Sequence, residues 1–479
     1  MTAGGSVGAG IASYLPRQTW RPDIARIYLK VEVRDRELEG RLLLAMVAAE
    51  RGHEVLVGNL RTLLNHRHWL SPGVFHDKSL SPAARKVTLH KGLAAAGFLV
   101  SSQDEEHGLL SRDYAAFAAR RFSEETLASA TTVLNWGPYD ASGLADAFPE
   151  ARVKMFETSS PRADLWRSEF DGMFGAFPLA PEVHERPFVL IVSNSAALGH
   201  APFWNQARKE RQRGADGEAR AELAEAEARR MALQFAHLSE VIHALRVIIP
   251  SRPDLAFVVR PHHIEDPAAW GELLDLPNVL VTRRGSIGRW IRRAQAVVHT
   301  ASTTALEAAA SGVPSIAFTP TAHRVDWISN EMGRRATDVE ELGALIDASG
   351  DPVRRAEWET PDGRALLASR LGPREGRLAA DRIIDVWEEH LRPEHDGPLR
   401  LRRAQVSGSL HRQAGALRRG SIRAMAHPVD AVGDRTKFPI LNEEDVMQFC
   451  GGLRGALDRF HGVRVERVGP HLLRVRPSR

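Results

Sequence analysis

The stretch AVVHTASTTALEAAASGVPSIAF (296–318) constrains this chain more than any other. An apolar strand around Ala296, Val297 and Val298 runs into a hydroxyl-rich turn with Thr300, Ser302, Thr303 and Thr304. A short Ala-rich helix follows, Gly312 ends it, and a new apolar strand begins after Pro314. Strand, helix and strand in such close succession belong to a parallel sheet with both faces covered. A helix opening at Ser302–Thr304 leaves backbone N–H groups and a positive dipole end at the turn, a setting that suits phosphate oxygens. Ser and Thr are equally good helix caps, so that reading stands beside the phosphate reading. Glu307 lies one turn in, placed either to accept hydrogen bonds from a ribose or to stand as a solvated helix residue.

The same alternation occurs twice. A first series has strands at Ile27 onward, 54–58, 97–101 and 131–137, with an amphipathic helix closed by Gly52. A second has strands at 187–193, 255–260, 278–282, 296–300 and 315–318, with a long charged helix from about 214 to 246 whose buried stripe is Leu238, Val241, Ile242 and Leu245. The expected organisation is a flexible Gly-rich start at 1–24, a Rossmann-like acceptor-side domain at 25–180 and a Rossmann-like nucleotide-donor domain at 186–350. A helical return segment at 351–395, a basic linker at 396–435 and a C-terminal helical segment at 436–479 complete it. The fold class is therefore α/β, two Rossmann-like β/α domains facing across a cleft, with a C-terminal helical tail.

At 479 residues, 43% hydrophobic and 26% charged, the chain is globular and too long for one core. A formal charge of +4 is small for a nucleic-acid binder. One cysteine, Cys450, leaves no disulfide framework and no thiolate metal site. No apolar run reaches the roughly 20 residues of a membrane span, and the N-terminus lacks a signal-peptide pattern. The expected location is the cytoplasm, with the basic stretch 399–423 suited either to the inner face of a membrane or to service as a solvated linker.

Residues after the strand ends are the candidates for chemistry. Arg260 and His262 follow a strand and can offset charge on a leaving phosphate, although Arg260 can instead pair with a structural carboxylate such as Glu265. Asp104, Glu105 and Glu106 follow another. Adjacent acids raise one another's pKa, which suits a general base, with Glu106 preferred and Glu105 second; a solvated acidic loop is the alternative. Lys30, Glu37 and Glu39 flank the first strand–helix turn and can line an acceptor side, while helix-start acids that favour the dipole explain the glutamates as well. No metal site is expected, since HExxH and a cleft-placed DxD are absent and His262 and His263 would point apart on extended backbone. Walker and GxGxxG motifs are absent too. No cofactor is expected. Trp270, Trp290 and Trp327 read as core residues rather than base-stacking ones.

In combination, EVRDRELEGRLLLAMVAAERGHEVLVG, FHDKSLSP (75–82), DEEHG (104–108), NWG (135–137), RPHHIEDPAAW (260–270), RRGSIGRWIRRAQAVVH (283–299) and STTALEAAASGVPSIAF resemble bacterial surface-carbohydrate biosynthesis proteins of the GT-B glycosyltransferase type. The resemblance runs from about Ile27 to Arg392 and returns at TKFPILNEEDV (436–446). More distantly the motifs are similar to those of polysialyltransferases and CDP-glycerol glycerophosphotransferases. It implies a general base in the acidic motif (Glu105, Glu106) and a CMP-holding site at His262 and the Ser302–Thr304 turn. Two positions depart from the pattern: His263 stands where a proline would stiffen the turn, and His107 separates the acids from Gly108. The implied activity is metal-independent transfer of a sugar or polyol phosphate from a nucleotide-activated donor to a glycan or lipid-linked glycan acceptor, with no nucleic-acid partner. A nucleotide-sugar epimerase of similar build, and an inactive homologue that scaffolds a glycan-assembly complex, are the alternatives.

Overall fold

Phe188 to Val192 are apolar without a break because both faces of that strand are covered. In the computed structural model, Val189 and Ile191 enter a core with Leu238, Val241 and Leu245 of the long helix Gly217–Ile248. Phe188, Leu190 and Val192 enter a separate core with Trp290 and Ile291. The structure describes residues 25–67, 72–105, 111–183, 186–195, 217–263, 265–321, 327–392, 395 and 437–478. The Gly-rich start, the whole basic linker 396–435 and Glu106 lie outside them.

The first sheet contains β1 (Arg26–Lys30), β2 (Glu54–Gly58), β3 (Val74–Asp77), β4 (Leu99–Gln103), β5 (Thr132–Asn135) and β6 (Met155–Glu157). The second contains β7 (Phe188–Val192), β8 (Ala256–Arg260), β9 (Val279–Val281), β10 (Ala296–His299), β11 (Ser315–Phe318) and β12 (Arg334–Ala336). A hairpin of β13 (Val463–Gly469) and β14 (Leu472–Pro477) follows much later. The orders are β13-β14-β2-β1-β3-β4-β5-β6 and β12-β11-β10-β7-β8-β9. Pairing is parallel from β2 to β6 and throughout the second sheet. Each sheet reverses its winding once, between β1 and β3 and between β7 and β10. Crevices at such switch points, beyond the carboxyl ends of the strands, are where open α/β sheets hold ligands. This is the expected GT-B-like arrangement of two Rossmann-like domains across a cleft.

The chain returns to the first domain after completing the second. Helix Ala379–His390 buries Ile383, Ile384 and Trp387 against the helix Arg34–Glu50. Asp164 receives its first two N–H groups, from Ala379 at 2.8 Å and Ala380 at 3.0 Å. The expected helical segment at 436–479 is only half helix. Helix Glu443–Leu457 comes first, and β14 then pairs antiparallel with β2, opposing Val475 to Val55. The strands escape a helical reading because their arginines alternate with the apolar residues Val463, Val465, Leu473 and Val475. No helix among the described residues is long and apolar enough to cross a membrane.

The C-terminal helix is bound to the first domain by core burial. Leu453→Ala, at a position with 0% exposure, should lower the unfolding free energy in urea by about 2–5 kcal/mol. Met447→Ala on the exposed face of the same helix should stay within about 0.5 kcal/mol of wild type.

Candidate functional site

Two adjoining cavities open where the domains meet. The smaller, about 370 Å³, is lined by Asp35, Arg36, Glu39 and Arg162 of the first domain and by Ser286 and Glu307 of the second, among others. The larger, about 520 Å³, shares Asp35, Glu39 and Ser286 and extends to the C-terminal helix. A third, about 420 Å³, lies at the β7/β10 switch point, where Ser193, Ser195, His299 and Thr300 meet apolar residues of the long helix. Burial pushes His299 down to about 4, so its ring is neutral.

The hydroxyl turn after β10 is built on a strained residue. Ala301 has φ 61°, a left-handed conformation that L-residues adopt at a cost of about 1–2 kcal/mol. The turn lets Ser302 accept from the Thr304 N–H at 3.2 Å and donate to Thr304 Oγ1 at 3.1 Å. Ser302 Oγ thus takes up one N–H at the helix start, and Thr303, at the N-cap position, stays exposed. Glu307 on the helix Thr304–Ala310 is buried rather than solvated. Burial raises its pKa to about 7, with Arg162 and Arg292 pulling the other way and Glu39 adding to the rise. Gly288 makes room for it, since a Cβ there would sit 3.1 Å from Glu307 Oε1.

Arginines link the halves. Arg162 pairs with Glu105 at 3.1 Å and stands 5.7 Å over the Trp136 ring and 5.9 Å over Trp166. Gly40 lets it pass, because a Cβ there would meet Arg162 Cγ at 2.8 Å. Arg292 donates to the Leu165 and Arg167 carbonyls at 2.6 and 3.1 Å and pairs with Asp171. Arg289 meets Glu39 across the cleft at 3.1 Å. Burial raises the Glu39 pKa, against the pull of Arg289 and a hydrogen bond from Ser286.

Several sequence expectations change against this geometry. Glu105 does not rise as the acidic run predicts. Burial would lift Glu105, but Arg41 at 3.0 Å and Arg162 hold it below the usual carboxylate range, and Asp104 pairs with Arg121. Arg260 does not pair with Glu265. It donates to the carbonyls of Arg284 at 2.6 Å and Gly285 at 2.9 Å, fixing the loop that lines the larger cavity. His262 and His263 do not point apart; their ring centroids are 3.9 Å apart because the backbone turns there. Trp270 and Trp290 are buried, whereas Trp327 is 49% exposed. Lys30 is buried against Asp77 at 2.8 Å. Glu37 is buried too, accepting from the Glu32 N–H at 2.7 Å. Neither Lys30, Glu37, Arg260 nor His262 lines the two cleft cavities. Ser302–Thr304 and the 260–265 turn follow strands separated by β7, which sets them about 10 Å apart along the sheet edge.

One residue of consequence escaped the sequence reading, and a second, Glu265, entered it only as a structural carboxylate for Arg260. Arg162 carried no motif; its only sign was a position just beyond a strand end. Glu265, fully buried, ties β7 to β8 by accepting from Ser193 Oγ at 2.7 Å, the His262 N–H at 2.9 Å, Trp270 Nε1 at 3.2 Å and the Ser195 N–H.

No protein-family model and no curated protein sequence matches the chain. Among solved structures it is similar to a putative UDP-N-acetylglucosamine 2-epimerase from Listeria monocytogenes, at 14% identity over 77% of this chain and 96% of the other, TM-score 0.44. It is similar to the UDP-GlcNAc 2-epimerase of Methanocaldococcus jannaschii, at 12% identity over 76% and 98%, TM-score 0.42. It is also similar to the wall teichoic acid polymerase TagF, at 10% identity over 66% and 72%, TM-score 0.40. At this level of similarity they say nothing of activity.

Glu307 should report itself in a pH titration. With a pKa of about 7 in the fold against 4.5 unfolded, it holds a proton between those values that the unfolded chain has released. Stability therefore falls as pH rises through that window. The wild-type unfolding free energy minus that of Glu307→Gln should decline by on the order of 3 kcal/mol between about pH 4.5 and 7. A flat difference curve would exclude the buried, protonated carboxyl.

Proposed function

We propose that the protein transfers a sugar, or a sugar-like polyol phosphate, from a nucleotide-activated donor to a glycan acceptor of a surface polysaccharide. The observation that carries the reading is the two-sided cleft cavity. It brings Glu307 and Ser286, placed by the strand ends of the second domain, against Arg36, Arg162 and Glu39 of the first.

In this reading the donor diphosphate lies along the carboxyl ends of β7 and β10, at the Ser302–Thr304 turn. The ribose reaches Glu307. Arg36, Arg162 and Arg292, all lining the smaller cavity, oppose the charge that builds on the leaving phosphate, in a partly buried setting where such charges act strongly. Glu39 takes the proton of the acceptor hydroxyl. Its raised pKa fits that task, and Arg289 holds the carboxylate in place. Glu105, fixed low between two arginines, positions Arg162 rather than accepting protons. Arg260 and His262 act through the loops they hold. No cofactor takes part. The acceptor is a glycan or lipid-linked glycan, which the basic stretch 399–423, outside the described residues, would bring to the cytoplasmic face of a membrane.

An epimerase is the second reading. Glu39 and Glu307, both raised by burial, with Glu39 adding to the rise at Glu307, are a carboxyl pair suited to moving protons on the sugar itself. Donor incubated without acceptor separates the two, since an epimerase alters its sugar and a transferase leaves it intact. Calorimetry with CMP-, CDP-, UDP- and GDP-linked donors should show binding of at least one. Glu39→Gln should slow transfer by about 10²- to 10⁴-fold while donor affinity stays within about threefold. Absence of binding by every donor would refute the reading.

A further inference from the structure

The larger cleft cavity has a wall that neither Rossmann-like domain supplies. Leu441, Asn442, Asp445, Val446 and Phe449 enter it from the C-terminal helix and the residues just before it, facing Gly285 and Ser286. The other charged groups there are already matched: Arg34 with Asp35 at 2.8 Å and Arg289 with Glu39 at 3.1 Å. Asp445 is exposed and has no hydrogen bond or ion pair among the described residues. Asn442 uses Oδ1 to cap the Glu444 N–H at 3.0 Å, which leaves its Nδ2 donor for the cavity. Three positions apart, the two residues sit on one face of the helix start.

The order of a nucleotide then fixes what reaches this wall. Glu307 lines the smaller cavity and Ser286 lines both, so a base joined to a ribose at Glu307 continues past Ser286 into the larger one. A nucleobase has apolar faces and an edge on which donors and acceptors alternate. The cavity answers both: Leu38, Val446 and Phe449 are apolar, and the Asn442 donor stands beside the Asp445 acceptor.

We propose that the C-terminal helix is the base-reading wall of the donor site, with Asn442 and Asp445 contacting the edge of the nucleobase and so selecting the donor nucleotide. This rests on the nucleotide-donor reading above. The selectivity of a donor held by the second domain is then set by the helix Glu443–Leu457, which packs on the first.

The test is calorimetry of the full chain with UDP, CDP, GDP and ADP. Wild type should prefer one of the four. Asp445→Ala should weaken that nucleotide about tenfold, as loss of a charge-assisted hydrogen bond does, and leave the others within about threefold. Asn442→Ala should act in the same direction but less, with thermal unfolding of both variants followed to show that they remain folded. Glu307→Gln should weaken all four alike. The inference fails if wild type binds all four equally, or if both alanine variants keep the wild-type affinities and order while Glu307→Gln still weakens every nucleotide. In that last case the donor site stands and Asp445 merely complements the helix dipole. If wild type binds none of the four, the donor reading falls, and this one with it.

Discussion

Arg162 is the point on which the two halves depend. Its guanidinium is held by Glu105 of its own domain at 3.1 Å and lies close enough to Glu307 of the other to lower that carboxyl's affinity for a proton. Arg41 at 3.0 Å completes the fixation of Glu105. Removing one member of such a buried set leaves the others charged and unmatched, which typically costs 3–5 kcal/mol or so. The cleft is therefore lined by groups whose protonation states depend on one another, and its floor is rigid on the first-domain side. The second-domain side leans on Arg292, whose contacts are mostly backbone carbonyls. Those contacts fix its position, while Asp171 supplies the opposite charge.

The backbone around the cleft carries strain in matching places. Ser159, after β6, and Ala301, after β10, both have φ 61°. Each turns the chain sharply at a carboxyl strand end, one into the segment bearing Arg162 and the other into the helix bearing Glu307. A non-glycine residue persists in that conformation only where its surroundings hold it, and such residues concentrate at working sites. Neither turn contains a glycine that would have marked it in advance.

How much of this was readable follows from how burial prints itself on sequence. Strands β2, β7, β8, β10 and β11 are covered on both faces, so their apolar runs stand out. β6 and β12 are short edge strands with exposed, charged residues, and they left no such mark. The hydroxyl turn and Glu307 were legible because local chemistry defines them. The partners that decide what these residues do were not. Glu105 meets Arg41 and Arg162 from 64 and 57 residues away, and Arg289 meets Glu39 from 250. An acidic run reads the same whether water or arginine surrounds it. Only the tertiary fold turned an expected upward pKa shift at Glu105 into a downward one.

β14 lies beside β2, and Arg474 reaches Glu54 across a separation of 420 residues. This contact also orders events in time. During synthesis the strands β1 to β6 leave the ribosome long before β14 exists, so the flank of β2 must wait, unpaired, while the entire second domain is made. Closing so long a loop is slow, and an unpaired strand edge invites wrong partners in the interval. The first domain begins the chain, yet it is the last to be finished.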